Sequence, residues 1–186
     1  MNTTVARPNY RTFHFENLDD RTRRLMLSEL DYDLEQDQVY YSPRLTAAGR
    51  KDFEQLLRTA ITRHDAGWLA DRLRDHERIR VKMKRMTPAG EITARVPKNA
   101  AQTLAEGEFN RYYIRGLCLR AIADDIPWVF LYRGKQANQP RPGSDEREGV
   151  SMDARLLFDD IRINVGLDTA LGLPAGPNSG MTVRLP

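Results

Sequence analysis

Between Arg78 and Val96 the apolar residues stop recurring at helical spacing and begin to alternate, which restricts the chain to folds that combine helices with a small sheet. Ile79, Val81 and Met83 alternate with Arg78, Arg80 and Lys82. Successive side chains of a strand point to opposite faces, so this stretch predicts a strand with one buried and one charged side. Thr87-Pro88-Ala89-Gly90 reads as a turn. Beyond it Ile92, Ala94 and Val96 alternate with Thr93 and Arg95. Residues 78–98 are therefore expected to form a β-hairpin with a cationic outer face.

The charge of this segment is out of proportion to the chain. Seven cations, Arg78, Arg80, Lys82, Lys84, Arg85, Arg95 and Lys98, are opposed by Glu91 alone, a local charge of +6. The whole chain carries +3, so the remainder carries −3. Two readings are open. Lys and Arg on an exposed hairpin keep it soluble and unpaired. A cationic face also draws a polyanion or an acidic protein surface. Acids gather earlier, at Asp31, Asp33, Glu35 and Asp37, and patches of opposite sign suit head-to-tail association as well.

Around the hairpin the pattern is mostly helical. Residues 1–16, with Pro8, Tyr10, Phe13 and Phe15, read as an extended arm or an edge strand. A first helix is expected from a cap at Asn17 to about Leu34, burying Leu18, Thr22, Leu25, Met26, Leu30 and Leu34. Thr46 caps a second helix over 47–64, with Phe53, Leu56, Leu57, Ala60 and Ile61 inward, and a short third helix follows Asp65-Ala66-Gly67. Asn99 caps a long helix reaching Asp124, with a stripe of Phe109, Tyr113, Leu117 and Ala121. Gly107 and Gly116 inside it are tolerable where another element packs closely. Trp128–Tyr132 reads as a buried strand and 133–150 as a surface loop. Ser151 caps a last helix to about Arg162, buried through Met152, Leu156, Leu157 and Ile161. In the tail, Met181, Val183 and Leu185 alternate, as a strand added to a sheet edge of this chain or a neighbour would. The fold class is α+β: a helix-rich N-terminal half, the basic hairpin, a long central helix, a small mixed sheet and extended terminal arms. It divides into an arm over 1–16, one domain over 17–170 and a Gly/Pro-rich tail over 171–186.

Composition removes several function classes. One Cys excludes an internal disulfide and a Cys-rich zinc module. No apolar run approaches the roughly 18 residues of a membrane span, and Met1–Tyr10 lacks the layout of a secretory signal. A soluble protein made in the cytoplasm is the expectation, with no membrane partner.

Catalytic and ligand motifs are equally sparse. Arg133-Gly134-Lys135 lacks the upstream glycine and the hydroxyl of a phosphate loop. His14, His64 and His76 are isolated, and Asp31-x-Asp33-x-Glu35 has Gln36 where a calcium loop needs glycine and Ser42 where it needs an acid. Those acids are expected on the exposed last turns of the first helix. Cys118, between Leu117 and Leu119, reads as a buried small hydrophobe. The pairs Asp19-Asp20, Asp124-Asp125 and Asp159-Asp160 are adjacent, so they diverge on a helix. Phe109-Asn-Arg-Tyr-Tyr-Ile-Arg115 interleaves aromatics with arginine; core packing with hydroxyls at the rim is the expected role. Arg111 and Arg115 stand one turn apart, placed to grip a carboxylate on a neighbouring element. No cofactor, metal or catalytic residue is expected. An enzyme would have to collect Arg111, Arg115, Tyr113 and an acid from 133–150, and no spacing supports that grouping.

Three stretches carry a resemblance: Tyr41-Ser-Pro-Arg-Leu-Thr46; Val96-Pro-Lys-Asn-Ala-Ala with Leu104-Ala-Glu-Gly-Glu-Phe-Asn-Arg-Tyr-Tyr-Ile-Arg-Gly-Leu-Cys118; and the tail from Leu171 to Leu185. Together they resemble a group of small bacterial and phage or prophage proteins with no assigned activity. The resemblance implies a phage-associated role and brings no catalytic residues. With the extended arms and segregated charge, it leads to the expectation of a non-enzymatic assembly subunit of a virion: a head-associated cement, decoration or connector protein. Such a subunit would act through protein partners or copies of itself, its tail docking by Leu173, Pro174, Met181, Val183 and Leu185. The alternative is a nucleic-acid-binding protein that uses the cations of 78–98.

Overall fold

Asp19, rather than Asn17, starts the first helix, α1 (Asp20–Glu35): its carboxylate accepts from the Thr22 N–H at 2.9 Å. The computed structural model describes residues 12–136, 142–165, 171 and 179–186. Asn17 instead accepts from the Leu185 N–H at 2.9 Å, tying the two ends of the chain together. The buried stripe of α1 is Thr22, Met26, Glu29, Leu30 and Asp33. Leu25 and Leu34 are only half-buried, and two acids take their place on the inner face.

Thr46 caps α2 (Ala47–Arg63) through the Gly49 N–H at 3.0 Å, and Phe53, Leu57, Ala60 and Ile61 turn inward. Asp65 caps α3 (Ala66–Arg74), which buries Leu69, Ala70 and Leu73. The long helix α4 (Ala100–Ala123) packs on α1 and α3, and its buried residues run almost without break from Leu104 to Cys118. Asn99 stands at its N-cap position, but its side chain makes no capping bond. A Cβ on Gly116 would come within 2.8 Å of the Met26 backbone nitrogen, so glycine there lets α1 and α4 touch main chain to main chain. Gly107 has open space where a Cβ would go, so no close neighbour explains it.

The hairpin is shorter than 78–98. β1 (Lys82–Thr87) pairs antiparallel with β2 (Gly90–Arg95), from Lys82 opposite Arg95 to Thr87 opposite Gly90. Pro88 and Ala89 form the connection, and Gly90 has φ +111°, which suits a residue without Cβ. Arg78 to Arg80 belong to the body instead: Ile79 bridges Leu45, and the Arg80 N–H donates to the Arg44 carbonyl.

A second sheet has β3 (Trp128–Arg133) at its centre, flanked by β4 (Ser151–Asp153) and β5 (Met181–Arg184). Expected as mixed, it is antiparallel in both pairings. Ser151 is thus a strand residue, and Asp153 caps α5 (Ala154–Ile163) by accepting from the Leu156 N–H. Helix α5 buries Ala154, Leu157, Phe158 and Ile161 and packs on α4. β5 joins its own chain, with Val183 opposite Leu131 and Met181 opposite Arg133. Residues 13–17 also lie on the body: the His14 N–H donates to Gly134, and the Phe15 ring meets Phe109 and Tyr113 at 5.3 and 4.5 Å. No helix among the described residues is long and apolar enough to cross a membrane.

Candidate functional site

Arg111 and Arg115 do grip carboxylates, and the acids come from α1. Arg115 is fully buried; its Nη1 and Nη2 lie 2.6 and 2.9 Å from the two oxygens of Asp33, and its Nε 2.8 Å from Glu29. Arg111 reaches Glu108 at 2.9 Å and Asp33 at 3.4 Å, and the Tyr112 hydroxyl donates to Asp33 at 2.8 Å. Arg162 of α5 closes the other side of Glu29 at 2.6 Å. Three carboxylates and three guanidiniums thus balance in charge between α1, α4 and α5. Burial raises the Glu108 carboxyl above its ordinary range, against the pull of Arg111. Burial also raises the Tyr112 hydroxyl, which stays a donor to Asp33. Asp33 was expected on an exposed turn; it is 1% exposed because Glu29 and Asp33, four residues apart, continue the inner face of α1. That spacing was the signal in the sequence.

This cluster does not contain the enzyme grouping. The Tyr113 hydroxyl accepts from the Asn17 N–H at 3.2 Å, just ahead of the chain's first helix and not in the cluster. Asp145, from the loop after β3, pairs with Arg133 at 2.6 Å. Lys135 pairs with Glu106 of α4 at 2.5 Å. Burial pushes the Cys118 thiol up. Among the described residues, no three His, Cys, Asp or Glu side chains are arranged to hold a metal ion.

The seven cations of 78–98 fall into two sets. Arg78 is largely buried; its Nε lies 2.8 Å from Asp52 and its Nη1 donates to the Arg72 carbonyl. Arg80 donates through Nε to the Leu45 carbonyl at 2.9 Å. These two root the hairpin in the body. The other five are exposed on the ribbon or just past it. Lys84 meets Glu91 at 2.9 Å. Among the described residues, Lys82, Arg85, Arg95 and Lys98 make no ion pair.

The register sorts the side chains by face. Lys82 and Arg95, Lys84 and Thr93, Met86 and Glu91 share one face; Met83 and Ala94, Arg85 and Ile92 share the other. Two cations, Lys82 and Arg95, therefore stand directly opposite each other, an arrangement that destabilises a strand pair. The expected burial of the apolar side is partial: Ile79, Met83, Ala94 and Val96 are half-buried, while Val81 and Ile92 are exposed. β1 and β2 pack chiefly on each other, and Val81, Met86 and Ile92 are 76%, 75% and 45% exposed. The segment is a projecting two-stranded ribbon, cationic on both faces, with uncovered apolar side chains.

Of the tail residues, Met181 and Val183 are fully buried in this chain's own core, and Leu185 is half-buried against it. Leu173 and Pro174 lie outside the described residues. Comparison with protein-family models, with curated proteins and with solved structures finds no match to this chain.

Proposed function

We propose that this chain is a non-enzymatic nucleic-acid-binding protein whose contact element is the β1–β2 ribbon. The opposed, unpaired Lys82 and Arg95 carry this reading. A ribbon built only to resist edge pairing needs charge, but it gains nothing from setting two cations against each other. A row of phosphates turns that repulsion into attraction, and the release of condensed counterions adds to it. The uncovered Val81, Met86 and Ile92 point the same way, since a purely protective surface would be polar.

Fluorescence anisotropy with labelled DNA tests this. Lys82→Ala combined with Arg95→Ala is expected to weaken binding by about tenfold or more at moderate salt. The variant should fold normally, because both side chains are exposed and their mutual repulsion is removed. Wild-type protein that fails to bind, or a variant that binds equally well, contradicts the reading.

A second reading, an assembly subunit such as a virion component, draws on a different surface. Leu156 and Ile163, seven residues apart on one face of α5, are 70% and 78% exposed. In that reading the stripe meets a protein partner or another copy, and Leu156→Asp lowers the mass measured by light scattering. A wild-type mass equal to one chain at all concentrations counts against self-assembly.

A further inference from the structure

We infer that the ribbon lies broadside on the phosphate backbone of double-stranded nucleic acid, with the face of Lys82, Lys84, Thr93 and Arg95 turned to the phosphates, and that it reads no base sequence. This rests on the nucleic-acid reading above and adds to it the contact face and the class of ligand.

Three observations carry it. First, the register divides the ribbon into two unlike faces. Lys82, Lys84, Met86, Glu91, Thr93 and Arg95 make one face, and all six are exposed. On it three cations stand against Glu91 alone, and Lys84 already answers that acid at 2.9 Å. The other face holds Met83, Ile92 and Ala94, continued by Val81 and Val96, with Arg85 as its one cation. Phosphates carry full negative charges, so the first face is the one that meets them. Arg85 joins from behind: no strand lies beside β1 on its outer edge, and a long side chain can turn round that edge. Second, Lys82 and Arg95 stand directly opposite each other on this face. Base edges offer such a pair only uncharged donors and acceptors, whereas each phosphate offers a whole charge. The pair is therefore suited to the backbone and not to the bases. Third, residues 78–98 contain no aromatic side chain and no Asn or Gln. Without an aromatic platform there is nothing for unstacked bases to lie on. Without an amide there is no bidentate reader for adenine. What remains is attraction to charge density, and a duplex carries one charge per about 1.7 Å of its axis against about 3.4 Å for each strand.

The experiment is an anisotropy titration of the full chain against four probes: an A·T-rich and a G·C-rich DNA duplex of about 20 base pairs each (roughly two helical turns), an RNA duplex of the same length, and a DNA single strand. The three duplexes are expected to bind within about twofold of one another, and the single strand about tenfold more weakly. Two variants then test the face. Thr93→Glu, on the cationic face, is expected to weaken duplex binding about tenfold, because a carboxylate would meet phosphate there. Ile92→Glu makes the same change of charge one residue away on the other face and is expected to weaken it only about twofold. Each new carboxylate stands opposite a cation, Lys84 or Arg85, so neither strains the ribbon, and circular dichroism checks the fold of both. A preference of more than about fivefold between the two DNA duplexes, a single strand bound as tightly as a duplex, or equal losses in the two variants overturns the broadside backbone contact while nucleic-acid binding stands. Wild-type protein that binds none of the four probes overturns both.

Discussion

Among the described residues Arg115 is the largest fully buried side chain. Its side chain is fully buried and holds Asp33 and Glu29 of α1 against α4. Arg115→Met would take from Asp33 and Glu29 their fully buried partner and leave Asp33 with Arg111 at 3.4 Å as its cation, and a loss of about 3–5 kcal/mol in urea unfolding is the expected result. Arg115→Lys should also destabilise, because a single ammonium cannot reproduce the two-oxygen grip. Glu108 sets a sign for pH. Burial raises its carboxyl above 4.5, so the folded chain keeps this proton longer than the unfolded chain. The unfolded state then loses its proton first as pH rises, and stability falls between 4.5 and the higher folded value. Glu108→Gln is expected to gain stability relative to wild type across that window, measured by urea midpoints at stepped pH. A constant difference between the two proteins would contradict it. At this scale the sequence was half legible. The spacing of Arg111 and Arg115 announced a carboxylate clamp, but its acids were hidden in a run whose other members, Asp31, Glu35 and Asp37, are exposed.

Among the elements, α4 departs furthest from its expected pattern. One apolar stripe was expected; instead both Tyr112 and Tyr113 are fully buried, because α1, α3 and α5 each take a side of the helix and the charge cluster fills the polar one. A periodicity argument assumes one wet face, and α4 has little. Its two glycines separate packing from propensity. Gly116→Ala would drive a Cβ to 2.8 Å from the Met26 main chain and should lower the melting temperature. Gly107→Ala meets nothing within 4 Å. It should raise stability by up to about 1 kcal/mol through helix propensity. The boundary between β4 and α5 was illegible for a different reason. Three residues, Ser151-Met152-Asp153, are too few to show a period, and only their pairing with Trp128–Phe130 makes them a strand. The hairpin was legible in kind and turn. Its root was not, since Arg78 and Arg80 alternate like strand residues yet are spent on Asp52 and Leu45. Within the ribbon, Glu91→Gln releases Lys84 and is expected to tighten DNA binding and steepen its salt dependence by about one phosphate contact.

For the molecule as a whole, the charge asymmetry of the sequence becomes a division of labour. The body pairs its buried charges internally, in the cluster between α1, α4 and α5 and at Glu106 and Arg133, and its sheet closes on the chain's own last strand. The ribbon and its exit do neither: among the described residues Lys82, Arg85, Arg95 and Lys98 make no ion pair, and Val81, Met86 and Ile92 stay exposed. The measurement that bears most directly on this division is the affinity for duplex DNA as a function of salt, for the wild type and for the protein carrying Lys82→Ala, Arg85→Ala and Arg95→Ala. The expected wild-type slope of log affinity on log salt is about −4, from the four cations Lys82, Arg85, Arg95 and Lys98 each displacing about 0.9 of a counterion. In the triple variant the slope flattens to about −1. A wild-type slope near zero, or a slope the variant leaves unchanged, would contradict the claim that the ribbon is where this protein meets its ligand.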